Sequence, residues 1–145
     1  MVAHAALTIV GSSSSAQEVA QEAFAVAWSR WSHVRDLDRP GAWVRRVAIN
    51  LALKERTKAA RSRPQAELPE QPVSTQHHDD REVMARAIAT LPDNQRIALV
   101  LRYVHDLSIA DVAESLGCKE PTARVHLHRA RNKLAELLPP MMGER

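Results

Sequence analysis

The chain has 145 residues with a formal net charge of +3, a length that suits one ordinary domain or two small ones. Its single cysteine, Cys118, excludes an intrachain disulfide and indicates a reducing cytoplasm. No apolar run is long enough to span a bilayer, and the N-terminus lacks the positive segment of a signal peptide. Abundant alanine, only four glycines and a single tyrosine predict an all-α fold.

The first block, residues 1–63, contains two predicted helices. One covers about residues 16–31, and the other about residues 42–60. A polar turn over residues 33–41 separates them, with Pro40 as the helix breaker. We expect the first helix to bury Ala16, Ala20, Ala23, Phe24, Ala27 and Trp31. We expect the inner face of the second to consist of Trp43, Val47, Asn50 and Leu51.

The second helix is also strongly basic, which suits a helix that follows a phosphate backbone. Glu55 is the only acidic residue between positions 39 and 63. The basic residues are Arg39, Arg45, Arg46, Lys54, Arg56, Lys58, Arg61 and Arg63.

Residues 64–80 are predicted to be a flexible linker. They include three prolines, several acidic residues and no lysine or arginine, a composition that cannot bury enough surface to fold alone. The cluster at its end, His77, His78, Asp79 and Asp80, has side chains that can bind metals. Four adjacent ligands in a flexible segment make a poor preformed site. We therefore expect a polar linker there, with no metal and no cofactor.

The third block, residues 81–138, begins with two further predicted helices. The first ends before Pro92, and the second starts at Pro92 and Asp93. A short tail, residues 139–145, follows the block. The expected apolar faces are Val83, Met84, Ala87, Ile88 and Leu91 in the first helix, and Ile97, Val100, Leu101 and Val104 in the second.

Residues 107–127 have the pattern of a helix-turn-helix DNA-binding motif. Ser108 is predicted to cap the first helix, whose apolar face is Ile109, Val112, Ala113 and Leu116. Gly117 follows that face, where helices often end in a left-handed residue. The second helix opens with Pro121.

The second helix of this motif is predicted to be the recognition helix. Its apolar side is Ala123, Leu127, Ala130, Leu134 and Leu137. Pro121, Arg124, Val125, His128 and Arg129 point the opposite way. Arg124 is the first candidate for a base contact, because arginine can bind guanine through two hydrogen bonds. Arg129, Arg131 and Lys133 are candidates for phosphate contacts. The alternative is a solvated basic face on a core helix.

The chain resembles a bacterial RNA polymerase sigma factor of the sigma-70 family, in the extracytoplasmic-function (ECF) group. The segment LPDNQRIALVLRYVHDLSIADVAESLGCKEPTARVHLHRARNKLAELL is similar to sigma region 4. AQEVAQEAFAVAWSRW resembles region 2.2, and HVRDLDRPGAWVRRVAINLALKERTK resembles regions 2.3 and 2.4. The resemblance implies two helical units, a region 2-like unit over residues 1–63 and a region 4-like unit over residues 81–138.

The resemblance also implies a function, which is to direct core RNA polymerase to specific promoters. The implied partners are promoter DNA, the β′ clamp helices and β flap of the polymerase, and an anti-sigma factor. We expect no enzymatic activity of its own, no cofactor and no membrane insertion.

Three sets of site residues follow from the resemblance. The recognition helix would read the −35 element through Lys119, Pro121, Thr122, Arg124, Val125, His128, Arg129 and Arg131. The −10 element would meet Arg35, Asp36, Arg45, Asn50, Lys54 and Arg56, with the loop over residues 33–40 as a pocket for an unstacked base. The β′ clamp helices would bind Glu18, Gln21 and Glu22. Trp43 is either a stacking platform or, as its spacing with Val47 favours, a core residue.

The chain departs from the family pattern at its start and in the recognition helix. Family members usually have a further helix and a half before region 2.2, so we expect a truncated N-terminal unit. Pro121 replaces a common glycine, and Lys119 replaces a common serine cap. Two alternatives stay open, a stand-alone helix-turn-helix regulator and a sigma-like protein that titrates polymerase or an anti-sigma factor. The sequence also leaves open whether the two units dock.

Overall fold

The computed structural model describes residues 2–62 and 80–138, which form helices joined by short turns and contain no β-strand. The helices are α1 (Val2–Val10), α2 (Ser13–Ser29), α3 (Trp31–Val34), α4 (Pro40–Ser62), α5 (Asp80–Ala89), α6 (Asp93–Leu99), α7 (Ile109–Leu116) and α8 (Glu120–Leu137). A single π-helical turn, Val100–Val104, continues α6. The predicted linker, apart from Asp80, and the predicted tail lie outside the described residues, as do His77, His78 and Asp79. Among the helices described, none combines the length and apolarity that a bilayer crossing requires.

Helices α1, α2 and α4 pack together through small side chains. Each of these helices contacts the other two, and alanines at the contacts allow the backbones to approach closely. Every one of the following is buried: Ala5, Ala6, Ala16, Ala20, Ala23, Ala27, Ala48 and Ala52. The segment before α2 is therefore an ordered helix of this unit, with Ile9 in the core.

The expected inner face of α2 is wrong at two aromatic residues. Phe24 is 55% exposed and Trp31 is 48% exposed. The buried stripe is centred on Ala16, Ala23 and Ala27, and at about 100° per residue Phe24 lies roughly 80° away from it. Trp31 belongs to α3, because the chain leaves helical geometry at Arg30.

Helix α4 lies between two layers, which makes its buried sector wider than expected. It contacts α1 and α2 of its own unit and also α7 of the second unit. Asn50 is exposed, so its assignment to the inner face is wrong, whereas Trp43, Val47 and Leu51 are half-buried at the rim. Pro40 is the first residue of α4 instead of a breaker that precedes it. Proline fits this position because the backbone N–H groups of a first turn have no hydrogen-bond partner within the helix, so the missing N–H costs nothing there.

The second unit consists of α5 to α8 and buries most of its predicted apolar residues. Ile97, Leu101, Val112 and Leu127 are in the core. Val104 is exposed, contrary to expectation, because the His105 N–H bonds the Val100 carbonyl (3.2 Å), and this wider π turn rotates Val104 outwards. Leu137 is also misassigned. It is 45% exposed at the end of α8, beyond the last buried position, Leu134.

The two units dock and share one hydrophobic core. Helix α4 contacts α7, and α1 contacts α6 and the π turn. At the α1 contact, the rings of His4 and His105 meet edge to face with centroids 4.7 Å apart. Burial lowers the pKa of His105, and the neighbouring His4 lowers it further. The shared core gives the small N-terminal unit a second layer to pack against.

This docked core predicts a sharp contrast between two leucines of the second unit. Leu101→Ala removes a fully buried side chain and should destabilise the protein by about 2–5 kcal/mol, because it opens a cavity. Leu137→Ala makes the same chemical change at an exposed position and should cost under about 1 kcal/mol. Urea denaturation of both variants measures the difference. Equal losses of unfolding free energy would contradict the assigned core.

Candidate nucleic-acid and polymerase interfaces

The helix-turn-helix is held by the local bonds that its sequence predicts. The Ser108 hydroxyl accepts a hydrogen bond from the Asp111 N–H (3.1 Å), which confirms the expected cap. Gly117 has φ of 69°, in the left-handed region that glycine adopts without steric cost. The Cys118 N–H then bonds the Ala113 carbonyl (3.0 Å) and closes the turn. These bonds fix the angle at which α8 leaves α7.

The eight residues predicted to contact the −35 element are all exposed on or just before α8. The buried side of the helix is Ala123, Leu127, Ala130 and Leu134, as predicted. Lys119 is extended and gives no side-chain cap, and Pro121 lies in the first turn. The structure thus places the predicted set on one open surface that begins at the N-terminus of the helix.

Individual side chains of this surface differ in how firmly they are held. Arg124 lies 3.9 Å from Glu120 in an exposed pair, which is weak enough to exchange for another partner. The Arg131 guanidinium donates to the Tyr103 hydroxyl (2.9 Å), which ties it to the π turn. His128 contacts Asn132 at 3.2 Å. Arg124 is therefore the more adaptable of the two arginines.

The predicted base pocket over residues 33–40 runs from the end of α3 to the first residue of α4, and residues 35–39 form the irregular segment between the two helices. Val34 is fully buried and anchors it, while Arg35 and Asp36 are exposed and lie 3.8 Å apart. The His33 ring meets Trp43 nearly edge to face, with centroids 6.5 Å apart. Trp43 packs on the core, which supports its interpretation as a core residue.

The −10 candidates on α4 divide into two groups. Asn50 and Lys54 are exposed. Arg45 is only 7% exposed, and its Nε donates to the Ser115 Oγ (3.0 Å). Burial lowers the pKa of Arg45, and the nearby Asp111 partly offsets that effect. Arg45 therefore does not lie on an open surface in this conformation, because α7 covers that side of α4.

Arg56 is engaged in a two-point ion pair with the second unit. Its two terminal nitrogens donate to the two carboxylate oxygens of Asp93, each at 2.6 Å. The bond to Asp93 raises the pKa of Arg56, and the bond to Arg56 lowers the pKa of Asp93. Asp93 also accepts a bond from Arg96 (2.9 Å). Like Arg45, Arg56 meets the helix-turn-helix unit in this conformation.

Two more arginines of α4 and its preceding turn reach the same unit. The Arg39 Nε lies 3.0 Å from the Asp111 Oδ1. The Arg46 guanidinium covers Gly117 so closely that a Cβ there would lie 2.7 Å from the Arg46 Nε. Sequence reasoning missed both contacts. Asp93 and Asp111 lie in the first turns of their helices, where acidic side chains are generally favourable. The neighbouring sequence therefore explains why they are acidic, but it does not predict which arginines they pair with.

The outer face of α2 combines acidic and aromatic side chains. Glu18, Gln21 and Glu22 are exposed, as expected. Trp28 is 77% exposed, and Phe24 lies one turn before it on the same side of the helix. Neither aromatic was in a predicted binding set, and Phe24 was expected in the core. Their i, i+4 spacing beside Gln21 was the sequence signal for an exposed apolar strip.

An open groove of about 400 Å³ lies on the second unit, between α5, the π turn and α8. Its walls are almost wholly apolar. They include Met84, Ile88, Leu99, Tyr103, Val104 and Leu134. The displaced Val104 and the exposed Tyr103 form one rim, which is why the sequence pattern alone did not show the groove.

Comparisons with known proteins identify relatives of both units. A family model described as Sigma-70 region 2 matches residues 1–62, and one described as Sigma-70, region 4 matches residues 81–134. The chain is 33% identical over 126 residues to the RNA polymerase sigma-E factor of Streptomyces coelicolor, covering 85% of this chain and 71% of that one. It is 33% identical over 133 residues to the ECF RNA polymerase sigma factor SigL of Mycobacterium tuberculosis, covering 86% and 75%.

A solved structure shares the fold. It is the sigma factor RpoE in a co-crystal structure with the anti-sigma factor NepR, from Bartonella quintana. The TM-score is 0.70 at 22% identity, and the match covers 94% of this chain and 88% of that one.

Proposed function

The chain belongs to the extracytoplasmic-function group of the sigma-70 family, and from this premise we propose that it directs core RNA polymerase to specific promoters. The observation that carries the proposal is the presence, in one chain, of an exposed recognition helix, a basic region 2 helix and an exposed acidic and aromatic face on α2. The chain supplies recognition, and the polymerase supplies the chemistry. We place this activity in the cytoplasm, where bacterial promoters lie.

The −35 element is proposed to meet the N-terminal half of α8. A recognition helix lies in the major groove with its N-terminal residues at the base edges, and Arg124 is exposed in the second turn of α8. Its pairing with Glu120 is loose, so its two terminal nitrogens can turn to guanine. Arg129 and Lys133 follow along the exposed side, where they can contact phosphates.

Arg124→Ala should therefore weaken binding of selected −35 duplexes about tenfold and relax the preference at one base pair, because a bidentate contact is worth about 1–3 kcal/mol. The duplexes would be selected from a random library with the wild-type chain. Lys133→Ala is the matched control, and it should weaken binding to all sequences alike. If Arg124→Ala also weakened all sequences alike, Arg124 would be a phosphate contact.

The −10 element is proposed to meet the segment before α4 and the exposed side of α4. Arg35 and Asp36 would border a captured base, while Asn50 and Lys54 would contact the neighbouring strand. Arg45 and Arg56 would join this surface once the second unit moves away. The proposed division into a region 2 unit (1–63), a linker (64–80) and a region 4 unit (81–138) allows that movement.

Core polymerase is proposed to bind two surfaces of the chain. Helix α2 would contact the β′ clamp helices through Glu18, Gln21 and Glu22, with Phe24 and Trp28 as apolar anchors beside them. Tryptophan is enriched among the residues that dominate binding energy at protein interfaces. The apolar groove beside the π turn would receive the β flap, since it is an open concavity of suitable chemistry on the other unit.

Co-purification with core RNA polymerase, followed by run-off transcription, tests the proposed function. Trp28→Ala should weaken core binding at least about tenfold, because it removes a large exposed anchor. Arg124→Ala is the reciprocal control, and it should keep core binding while weakening promoter selection. Absence of core binding by the wild-type chain would overturn the proposal.

Two further measurements distinguish the alternatives. DNA binding near about 10 nM at physiological salt without polymerase would indicate a stand-alone regulator. Core binding without permanganate-reactive, opened promoter DNA would indicate a protein that titrates polymerase.

A further inference from the structure

One cation lies on the wall of the apolar groove between α5, the π turn and α8. Among the described residues that line the groove, Arg131 is the single charged one, and the Tyr103 hydroxyl is the only other side-chain polar group. A molecule that fills the groove removes water from one side of the guanidinium. Loss of that water costs free energy unless an acceptor replaces it. The groove therefore suits an occupant that is apolar and carries an anion at one edge.

The guanidinium is held in place without being neutralised. The Arg131 Nη1 donates to the Tyr103 hydroxyl at 2.9 Å. This acceptor carries no charge. Within residues 2–62 and 80–138, no carboxylate forms an ion pair with Arg131, whereas Arg124 of the same helix pairs with Glu120. A guanidinium has several further N–H donors, so Arg131 is oriented and still able to bind an anion.

The position of Arg131 along α8 separates it from the part of the helix that would read bases. Arg131 follows Arg124 by seven residues, so it points within about 20° of the same direction but lies about 10 Å farther along the axis. The shared direction is why the sequence pattern assigned both to the −35 element. A recognition helix meets the base edges with its N-terminal residues. At the level of Arg131, α5 and the π turn lie beside α8 and make its side chain part of the groove wall.

We propose, on the basis of the proposed function, that Arg131 is a polymerase-binding residue and not a −35 contact. It binds a carboxylate on the apolar segment of the β flap that fills the groove. Tyr103 is the positioning residue that holds the guanidinium over the groove. The occupant is thus an apolar peptide segment with an acidic residue at one edge.

The chemistry of the groove favours such a pair. Electrostatic attraction is stronger where the filled groove excludes water than on an open surface. The bond to Tyr103 restricts the long arginine side chain before binding, which lowers the entropy cost of ordering it. Grooves bounded by helices commonly receive amphipathic peptide segments. The exposed rim residues Tyr103 and Val104 leave the groove open to a segment of another chain.

The first test separates polymerase binding from DNA binding with two variants of the full chain. Arg131→Ala and Arg129→Ala remove the same charge from exposed positions of one helix, and only Arg131 lines the groove. The probes are core RNA polymerase and the −35 duplexes selected with the wild-type chain. Duplex affinity is measured over a range of KCl concentrations.

Arg131→Ala should weaken core binding about three- to tenfold and leave the salt dependence of duplex binding unchanged. Arg129→Ala should keep core binding and lower the slope of log affinity against log salt by about one, as loss of a phosphate contact does. A slope lowered by about one in Arg131→Ala would overturn the proposal. Unchanged core binding by Arg131→Ala would overturn it as well.

The second test concerns the positioning role of Tyr103. Tyr103→Phe removes the hydroxyl and keeps the ring on the groove rim, and it should weaken core binding about threefold. In the Arg131→Ala background the same substitution should have no further effect, because the two residues act through one interaction. Additive losses in the double variant would contradict a role for Tyr103 through Arg131.

The third test identifies the occupant of the groove. A photoreactive p-benzoylphenylalanine in place of the exposed rim residue Val104 should crosslink to the β flap when core RNA polymerase is bound. The crosslinked peptide should contain an aspartate or glutamate within about one helical turn of the crosslink. Replacing that acid with lysine should weaken binding of the wild-type chain, and Arg131→Glu should restore it. A crosslinked segment without an acid, or failure of the exchange of charges to restore binding, would overturn the proposal.

Failure of this proposal is distinguishable from failure of the proposed function. Absence of core binding by the wild-type chain would overturn the proposed function. Normal core binding that is insensitive to Arg131 would overturn only the assignment of Arg131.

Discussion

The structure depends on the packing of α4 between two layers. Ala48 and Ala52 are buried in the shared core, and Arg45 and Arg56 bond Ser115 of α7 and Asp93 of α6. A small helical unit on its own buries little apolar surface relative to the chain entropy it must overcome. Docking onto the helix-turn-helix unit gives α1 and α4 a second apolar neighbour, and the two units consequently share one core. As a consequence, the second unit covers part of the basic surface of α4.

That constraint separates the surfaces that are ready to bind from those that are not. The exposed side of α8, the Glu18 and Trp28 face of α2 and the apolar groove are open in this conformation. Part of the basic side of α4 is covered by the second unit, where Arg45 bonds Ser115 and Arg56 bonds Asp93. A chain that presents its polymerase surfaces while masking part of its promoter surface would engage polymerase first. Contact with polymerase would then supply the binding energy that separates the units, as any ligand does that prefers the open state.

The sequence predicted the features that adjacent residues decide. Ser108 and Gly117 follow from capping and turn rules, and the buried side of α8 follows from its period, so these were predicted correctly. Phe24, Asn50 and Val104 were misplaced because their exposure depends on what packs nearby. The stripe on α2 is narrow, α4 has neighbours on two sides, and a π turn changes the period after Leu99. The Arg39–Asp111 and Arg56–Asp93 pairs join residues far apart in the chain, and only the docking of the units reveals them.

The central claim is that one face of α4 binds the second unit in the free chain and promoter DNA in the polymerase complex. The distance between the two units, before and after polymerase binds, tests this claim most directly. Dyes at Gln17→Cys and Ala135→Cys in the Cys118→Ser background should show efficient energy transfer in the free chain and a marked decrease on addition of core RNA polymerase. Co-elution of the labelled chain with the polymerase would establish that the complex has formed. Unchanged energy transfer in that complex would contradict the account.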